Sequence, residues 1–139
     1  MDLDTVRERF ASSRVAHLAT VDEDGRPHLV PIVFALHQDT IYFAVDQKPK
    51  RNPDLKRLRN IAAKPHVSVL VDHYDDSDWT GLWWARADGT AHVVETRHDA
   101  DRVMAMLADR YPQYRDAPPP GPAVAITVER WSGWSFSQS

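Results

Sequence analysis

Residues 16–34 read AHLATVDEDGRPHLVPIVF, and this stretch decides the fold. Alternating and β-branched apolar residues predict one strand over 15–21 and a returning strand over 27–36. The Asp24-Gly25 pair lies between them in a short polar segment, which is typical of the turn of a β-hairpin. The sequence therefore predicts an antiparallel hairpin near the start of the chain.

Similar patterns predict further strands over 40–45, 66–71 and 124–128. Residues 82–95 are strand-like on both sides of Asp88-Gly89, a pair that fits either a hairpin turn or a bulge within one long bent strand. About six strands joined mostly by hairpin-sized loops predict a mainly β (α+β) fold. We expect a six-stranded antiparallel barrel with short helices packed at its ends.

Apolar residues at helical spacing predict three peripheral helices. The first opens the chain over 3–10, and the second occupies 53–63 with Asn52 as its N-cap. The third occupies 96–111 and is stopped by Pro112. The five glycines are isolated, and none forms a glycine-rich phosphate loop of the Rossmann or P-loop kind.

Length and composition limit the possible functions. A chain of 139 residues fits one domain, taken as 1–139, and the absence of cysteine excludes disulfides, thiolate metal sites and thiol nucleophiles. Any redox chemistry must therefore come from a bound cofactor. No apolar run is long enough to cross a bilayer, and a net charge of -3 gives no reason to expect nucleic acid or an anionic membrane as a partner. We expect a cytoplasmic protein.

The polar side chains show no pattern typical of a metal site or an activated nucleophile. The histidines lack metal-ligand spacing, so no metal is expected, and neither an activated serine nor paired carboxylates are evident. This agrees with hydride transfer, in which the cofactor carries the chemistry and the protein supplies position, a dry pocket and electrostatics. No catalytic residue is assigned, and Tyr74 and His73 are the nearest candidates for a proton donor.

A basic segment is present in this net-acidic chain. Cations at the N-terminus of a helix, beside its open N–H groups, form a favourable site for a phosphate. The alternative is an ordinary solvated helix face. We select Lys48, Lys50, Arg51 and Lys56 as the residues that would bind an anion. The segment as a whole contains Lys48, Lys50, Arg51, Lys56, Arg57 and Arg59.

Two apolar features point to a planar ligand or to an interface. Pro31 interrupts an apolar strand and cannot donate a ladder hydrogen bond, so it marks an edge strand, a bulge or a place where backbone faces a ligand. Trp79, Trp83 and Trp84 follow the acidic run 72–78, and such a cluster suits either a dimer core or the wall of a planar-ligand pocket. Trp84 is expected in the core, whereas Trp79, on the loop, is the better candidate for contacting a cofactor.

The order and spacing of several segments resemble the pyridoxamine 5'-phosphate oxidase-like split-barrel superfamily. The resemblance begins with the Leu-Ala-Thr strand, the acidic-Gly-x-Pro turn and the internal proline of 16–34. It continues through 41–46, 48–51, 59–61, 67–72 and 82–89. The sequence looks closest to the small members that use the deazaflavin coenzyme F-420 in place of FMN. It is shorter than a pyridoxamine phosphate oxidase proper and does not match that enzyme's phosphate- and substrate-binding arginines, so vitamin B6 oxidation is not expected.

The resemblance implies a homodimeric split barrel of the FMN-binding type, with two cofactors at the subunit interface. The strand residues would then contact the cofactor ring, the cations would hold its phosphate-bearing tail, and the loop tryptophan would reach a cofactor from the same or the partner chain. The cofactor-binding residues expected in this way are Pro31, Ile32, Val33, Ala44, Val45, Asp46, Lys48, Lys50, Arg51, Lys56 and Trp79.

These observations predict an oxidoreductase that transfers a hydride between reduced deazaflavin and a small or planar unsaturated substrate, with FMN as the alternative cofactor. A non-enzymatic flavin- or tetrapyrrole-binding protein is a second possibility, since the same pocket could serve a carrier. A nucleic-acid-binding module built on the basic helix is a weaker third, because the rest of the chain is acidic and lacks aromatic residues interleaved with that patch.

Overall fold

The computed structural model describes residues 1–45 and 55–137. Within them the chain forms seven strands, four helices and one 3₁₀ turn at Trp79–Gly81. The strands are β1 (Ala16–Val21), β2 (Pro27–Ile32), β3 (Ala35–His37), β4 (Thr40–Ala44), β5 (His66–His73), β6 (Trp83–Val93) and β7 (Ala123–Ser135). The helices are α1 (Leu3–Ser12), α2 (Lys56–Ala63), α3 (Arg97–Arg110) and α4 (Pro112–Asp116).

The sheet is antiparallel throughout and has the spatial order β2-β1-β5-β6-β7-β4-β3. Its two edge strands are consecutive in the chain, because β2 ends at Ile32 and β3 begins at Ala35. Those residues can be at most about 11 Å apart, whereas a flat sheet of this width would separate its edges by about 29 Å. The sheet must therefore curl, and the prediction of a mainly β antiparallel split barrel with peripheral helices is confirmed.

The predicted number of six strands is wrong, because the segment predicted as one strand over 27–36 is two strands with a break at Val33 and Phe34. The break is where the chain passes from one edge of the sheet to the other. There the backbone N–H of Phe34 donates to the hydroxyl of Tyr111, at 3.2 Å, and not to a neighbouring strand. The continuous apolar pattern across the break hides it in the sequence.

The Asp88-Gly89 pair is not a hairpin turn but lies opposite a bulge, because Asp88 pairs with Arg130 and Gly89 with Val128, which leaves Glu129 of β7 as the extra residue. Strand β6 continues through the pair, and its register with β7 shifts between the two residues. A Cβ on Gly89 would lie within 3.0 Å of the Thr127 carbonyl carbon and of the Val128 Cα. Only glycine fits where the bulge brings the two backbones together.

The three predicted helices are present in the described residues. Helix α1 covers the helix predicted over 3–10. Helix α3 corresponds to the one predicted over 96–111 and begins after Thr96, whose hydroxyl accepts a hydrogen bond from the Asp99 N–H at 3.2 Å. Helix α2 begins at Lys56 and not at residue 53, because Leu55 is extended (ψ 144°) and occupies the N-cap position. The prediction of Asn52, which lies outside the described residues, as its N-cap is therefore wrong. None of these helices, nor α4, is both long and apolar enough to span a membrane.

The hydrophobic core has two parts. Inside the barrel Phe10 of α1 packs edge-to-face against Phe34 and Trp131, with ring centres 6.1 and 5.2 Å away. Outside it, α3 and α4 cover β3 and β4 through Leu107 and Tyr114, among others. One side of the barrel is thus covered by helices, and the opposite strands remain open to solvent or to a partner.

Tyr111 joins the break between β2 and β3 to the end of α1. Its hydroxyl accepts from the Phe34 N–H and, at 3.1 Å, from Arg110 Nε. The same hydroxyl lies 2.9 Å from the Arg14 carbonyl oxygen and 3.0 Å from that of Phe34, to one of which it donates. Three chain segments are therefore held by one buried oxygen atom.

Changing Tyr111 to phenylalanine should lower the free energy of unfolding by about 1–3 kcal/mol, because the buried Phe34 N–H loses its acceptor and no water replaces it. Urea denaturation of the Tyr111→Phe variant measures this. Tyr74→Phe is the matched control, since the Tyr74 hydroxyl donates only to exposed Asp76, and a change within about 0.5 kcal/mol is expected there. Equal stability of the two variants would show that the Tyr111 hydroxyl is not needed for the crossing.

Candidate functional site

The structure describes seven of the eleven predicted cofactor-binding residues. The four that lie outside the described residues are Asp46, Lys48, Lys50 and Arg51. Among the other seven, Pro31, Lys56 and Trp79 are exposed, Val33 is half-buried, and the rest are buried. The described residues alone therefore do not complete the predicted site.

The strand residues predicted to contact a cofactor ring divide between surface and core. Pro31 is exposed on β2, opposite His17 of β1. Its neighbour Ile32 points inward and is 6% exposed, and Ala44 is buried under α3 and α4. Pro31 is thus the member of this group whose side chain can touch a ligand from outside the barrel.

Val45 is fully engaged within its own chain. Its side chain is 1% exposed, its N–H donates to the Pro122 carbonyl at 3.0 Å, and its carbonyl accepts from the Gly121 N–H at 2.9 Å. A Cβ on Gly121 would overlap this carbonyl, so glycine permits the close approach. Val45 fixes the end of β4, immediately before the stretch that carries the predicted cations.

Lys56 lies at the beginning of α2, beside the turn between β1 and β2. Its Nζ is 3.9 Å from Asp22 Oδ2. Backbone hydrogen bonds, chiefly from the Arg26 N–H, hold the pKa of the Asp22 carboxyl below its usual value, so the carboxylate stays ionised. Below this pair the buried Asn60 amide donates to the Thr20 hydroxyl at 3.0 Å and fixes α2 on β1. An anion bound at Lys56 would have to compete with Asp22.

The outside of β2, β1, β5, β6 and β7 forms one surface, on which apolar side chains lie among polar ones such as His17, Asp72 and Arg130. Residues opposite each other in antiparallel strands share a face, and the register places several large apolar side chains on this one. Leu29 is 67% exposed and Trp134 is 42% exposed. The prediction that Trp84 lies in the core is wrong, because the register places it half-buried on this surface, opposite Trp134. We call the surface the outer face, and its apolar members include Leu29, Pro31, Leu70, Trp84 and Trp134.

A hydrogen-bonded polar group lies in the middle of the outer face. The Ser68 hydroxyl donates to Asp88 Oδ1 at 2.5 Å, and Arg86 Nε donates to Asp88 Oδ2 at 3.2 Å. The Arg86 guanidinium also lies 5.6 Å from the centre of the Trp84 ring, within the range of a cation–π contact. Arg86 is therefore held in place while its terminal N–H groups have no acceptor among the described residues.

Sequence reasoning missed this group, although a signal was present. Ser68, Arg86 and Asp88 alternate with buried residues such as Val67, Val69, Ala85 and Ala87 in β5 and β6. Beside them a groove of about 380 Å³ opens next to the bulge, lined by Pro27, Gly89 and others. The arrangement offers an apolar wall, a fixed guanidinium and a groove on one surface.

The remaining candidates for chemistry are on the periphery. The Tyr74 hydroxyl donates to Asp76 at 2.8 Å on the surface, and His73 stacks on Trp83 with ring centres 6.3 Å apart. In residues 1–45 and 55–137 no three His, Asp or Glu side chains are grouped as a metal ion requires. A larger cleft, between α2, α3 and strands β4, β6 and β7, is lined by none of the predicted cofactor residues.

Comparison with known proteins identifies a matching family and several solved structures with a similar fold. The family model described as pyridoxamine 5'-phosphate oxidase matches residues 3–135. Similar solved structures include a conserved hypothetical protein from Mycobacterium tuberculosis, with 24% identity, a TM-score of 0.79, and 98% of this chain and 86% of that chain covered. A FAD-binding protein from Mesorhizobium loti has 21% identity and a TM-score of 0.74, with 96% and 94% covered. The heme storage protein of Vibrio cholerae has 18% identity and a TM-score of 0.73, with 96% and 93% covered.

The search of curated proteins found no match. At identities below a quarter, the solved structures show a shared fold and nothing more. The family match is stronger, because it extends over nearly the whole sequence. This chain belongs to the pyridoxamine 5'-phosphate oxidase family.

Proposed function

We propose that this protein is an oxidoreductase that works as a homodimer and holds a flavin-type cofactor at the subunit interface, with the deazaflavin coenzyme F-420 as that cofactor. Family membership and the FAD-binding relative support a flavin-type ring. The chain has no cysteine with which to do redox chemistry of its own. The observation that carries the proposal is the outer face, whose exposed apolar side chains need a cover.

The outer face fits a planar ring with a polar edge. Pro31 and Trp84 offer apolar surface, and Arg86 offers N–H donors that are already oriented by Asp88 and the Trp84 ring. A ring that carries carbonyl groups would supply the missing acceptors at little entropic cost, because the guanidinium is fixed in advance. The cofactor supplies hydride transfer when bound, while these residues bind it, orient it and exclude water.

The cations at Lys48, Lys50 and Arg51 are proposed to bind the phosphate of the cofactor tail. They belong to the stretch between β4 and α2 and lie outside the described residues. Lys56, paired with Asp22, is the weaker member of the set. A tail with a phosphate and several carboxylates can form ion pairs with more of these four cations than the single phosphate of FMN can. This difference favours deazaflavin.

Titration of the apo-protein with deazaflavin, FMN and FAD is the direct test. We expect deazaflavin to bind most tightly, because its tail can engage more of the cations between Lys48 and Lys56 than FMN can. Fluorescence of the ring system or its quenching reports each dissociation constant. Binding of FMN with equal or higher affinity would overturn the choice of cofactor, and no binding of any of the three would overturn the proposed function.

The outer face should form the dimer interface. Burial of a leucine side chain stabilises by about 1.5–3 kcal/mol, so Leu29→Glu should raise the dimer dissociation constant by at least about tenfold. Leu3→Glu is the matched control, since Leu3 is similarly exposed but lies on α1. Sedimentation velocity at micromolar concentration measures both. A wild-type monomer that binds cofactor at full occupancy would show that one chain encloses the ring alone.

A non-enzymatic carrier is the second candidate, favoured by the heme storage protein among the solved relatives. The same outer face could accept a tetrapyrrole. Titration with heme, followed by its absorption spectrum, separates the two: tight heme binding together with weak flavin and deazaflavin binding would favour the carrier.

A further inference from the structure

A second cavity lies on the helical side of the barrel. It has a volume of about 960 Å³ and is bounded by α2, α3 and strands β4, β6 and β7. Its floor is apolar, with Ile61 from α2, Met106 from α3 and the small side chains of Ala91 and Ala125 from the sheet. The volume is at the upper end of the range of ligand pockets, about 300–1,000 Å³. We call it the helical cleft.

The described residues that line the helical cleft carry one more negative than positive charge. Asp99 and Arg102 lie 4.0 Å apart and balance each other. Glu95 also lines the cleft, is exposed, and forms neither an ion pair nor a hydrogen bond with the described residues. With His92 counted as neutral, the carboxylate of Glu95 gives this described lining a net charge of -1.

Tyr42 adds a polar group and a π surface to this cleft. It lies on β4, is half-buried, and its hydroxyl has no hydrogen-bond partner in residues 1–45 and 55–137. An aromatic face attracts a cation, and the attraction is stronger when water is excluded. A Tyr ring and an unpaired carboxylate on one cavity both favour positive charge.

We propose that the helical cleft is a second small-molecule site, separate from the cofactor site, and that it takes an apolar molecule bearing a single amine or other cation. The apolar body lies on Ile61, Ala125 and Met106. The cationic group meets the carboxylate of Glu95 and the ring or hydroxyl of Tyr42. An anionic group, such as the cofactor tail, is repelled by Glu95 here. This proposal is independent of the proposed function.

Two apolar fluorescent dyes of opposite charge test the site in the apo-protein: thioflavin T, a cation, and 1-anilinonaphthalene-8-sulfonate, an anion. Thioflavin T should bind more tightly. Glu95→Gln should weaken thioflavin T binding about fivefold without weakening that of the anionic dye, as expected for loss of one exposed charge contact worth about 1 kcal/mol. Asp101→Asn, an exposed site on α3 outside the cleft, is the matched control and should change neither dye by more than about twofold.

Substitutions that fill the helical cleft with a larger side chain test whether thioflavin T binds there. Ala62 lines the cleft but is exposed on α2, so Ala62→Trp should fold normally and weaken thioflavin T binding at least about tenfold. Met106→Trp is a second filling variant from the opposite wall. Binding that survives both variants would place the dye elsewhere, for example on the outer face, and would overturn the proposal. No thioflavin T binding to the wild-type protein, or equal effects of Glu95→Gln and Asp101→Asn, would overturn it as well. No flavin enters the assay, so its result does not depend on the cofactor titration.

Discussion

Replacing Lys50 and Arg51 together by alanine should weaken cofactor binding by about 2–5 kcal/mol, or about 30-fold to several thousand-fold. Each charge-assisted hydrogen bond to a phosphate contributes about 1.5–3 kcal/mol, and the two contributions are not fully additive. Both residues lie outside the described residues, so the expectation rests on the charge density of the sequence and on family membership. Titration of the double variant with deazaflavin and with FMN measures the loss for each cofactor.

The control must remove the same net charge elsewhere. Lys64→Ala with Arg97→Ala does so at exposed positions outside the basic segment. That variant should keep the wild-type affinity to within about threefold at 0.15 M salt, because exposed charges more than about 8 Å away are largely screened. The free energy of unfolding of the Lys50 and Arg51 variant should barely change. An unchanged dissociation constant would instead assign both cations to the solvated surface.

The barrel could be predicted from the sequence because its signals are local. Alternation of apolar residues identifies strands, and Asp24-Gly25 identifies the first turn. The break at Val33 and Phe34 has no local signal, because both residues are apolar and continue the pattern. It depends on the hydroxyl of Tyr111, which is 77 residues from Phe34 in the chain.

The candidate site was harder to predict for the same reason. Ser68 and Asp88 are 20 residues apart and meet only because β5 and β6 pair in one particular register. A shift of one residue would turn Asp88 into the barrel. The helical cleft likewise depends on how α2 and α3 approach the sheet, which neither helix encodes alone. The resemblance supplied positions along the chain, but not which side chains of those strands face outward.

The bulge lies beside Asp88 of the outer face, and the close backbone contact at Gly89 can be tested directly. Gly89→Ala should lower the free energy of unfolding by about 3 kcal/mol, the upper part of the usual range for overpacking. The atoms that a Cβ would meet are all backbone, from Thr127 and Val128, so no side chain can move aside. Strand β6 or β7 would have to shift, and the neighbouring Asp88 would move relative to Ser68.

Gly81→Ala is the matched control, because a Cβ there meets nothing within 4 Å. It should leave stability unchanged or raise it by up to about 1 kcal/mol, since alanine restricts the unfolded chain. Urea denaturation of both variants gives the comparison. If Gly89→Ala is as stable as Gly81→Ala, the two strands can separate at the bulge without cost. The bulge would then not fix the position of Asp88, and the orientation of Arg86 on the outer face would need another cause.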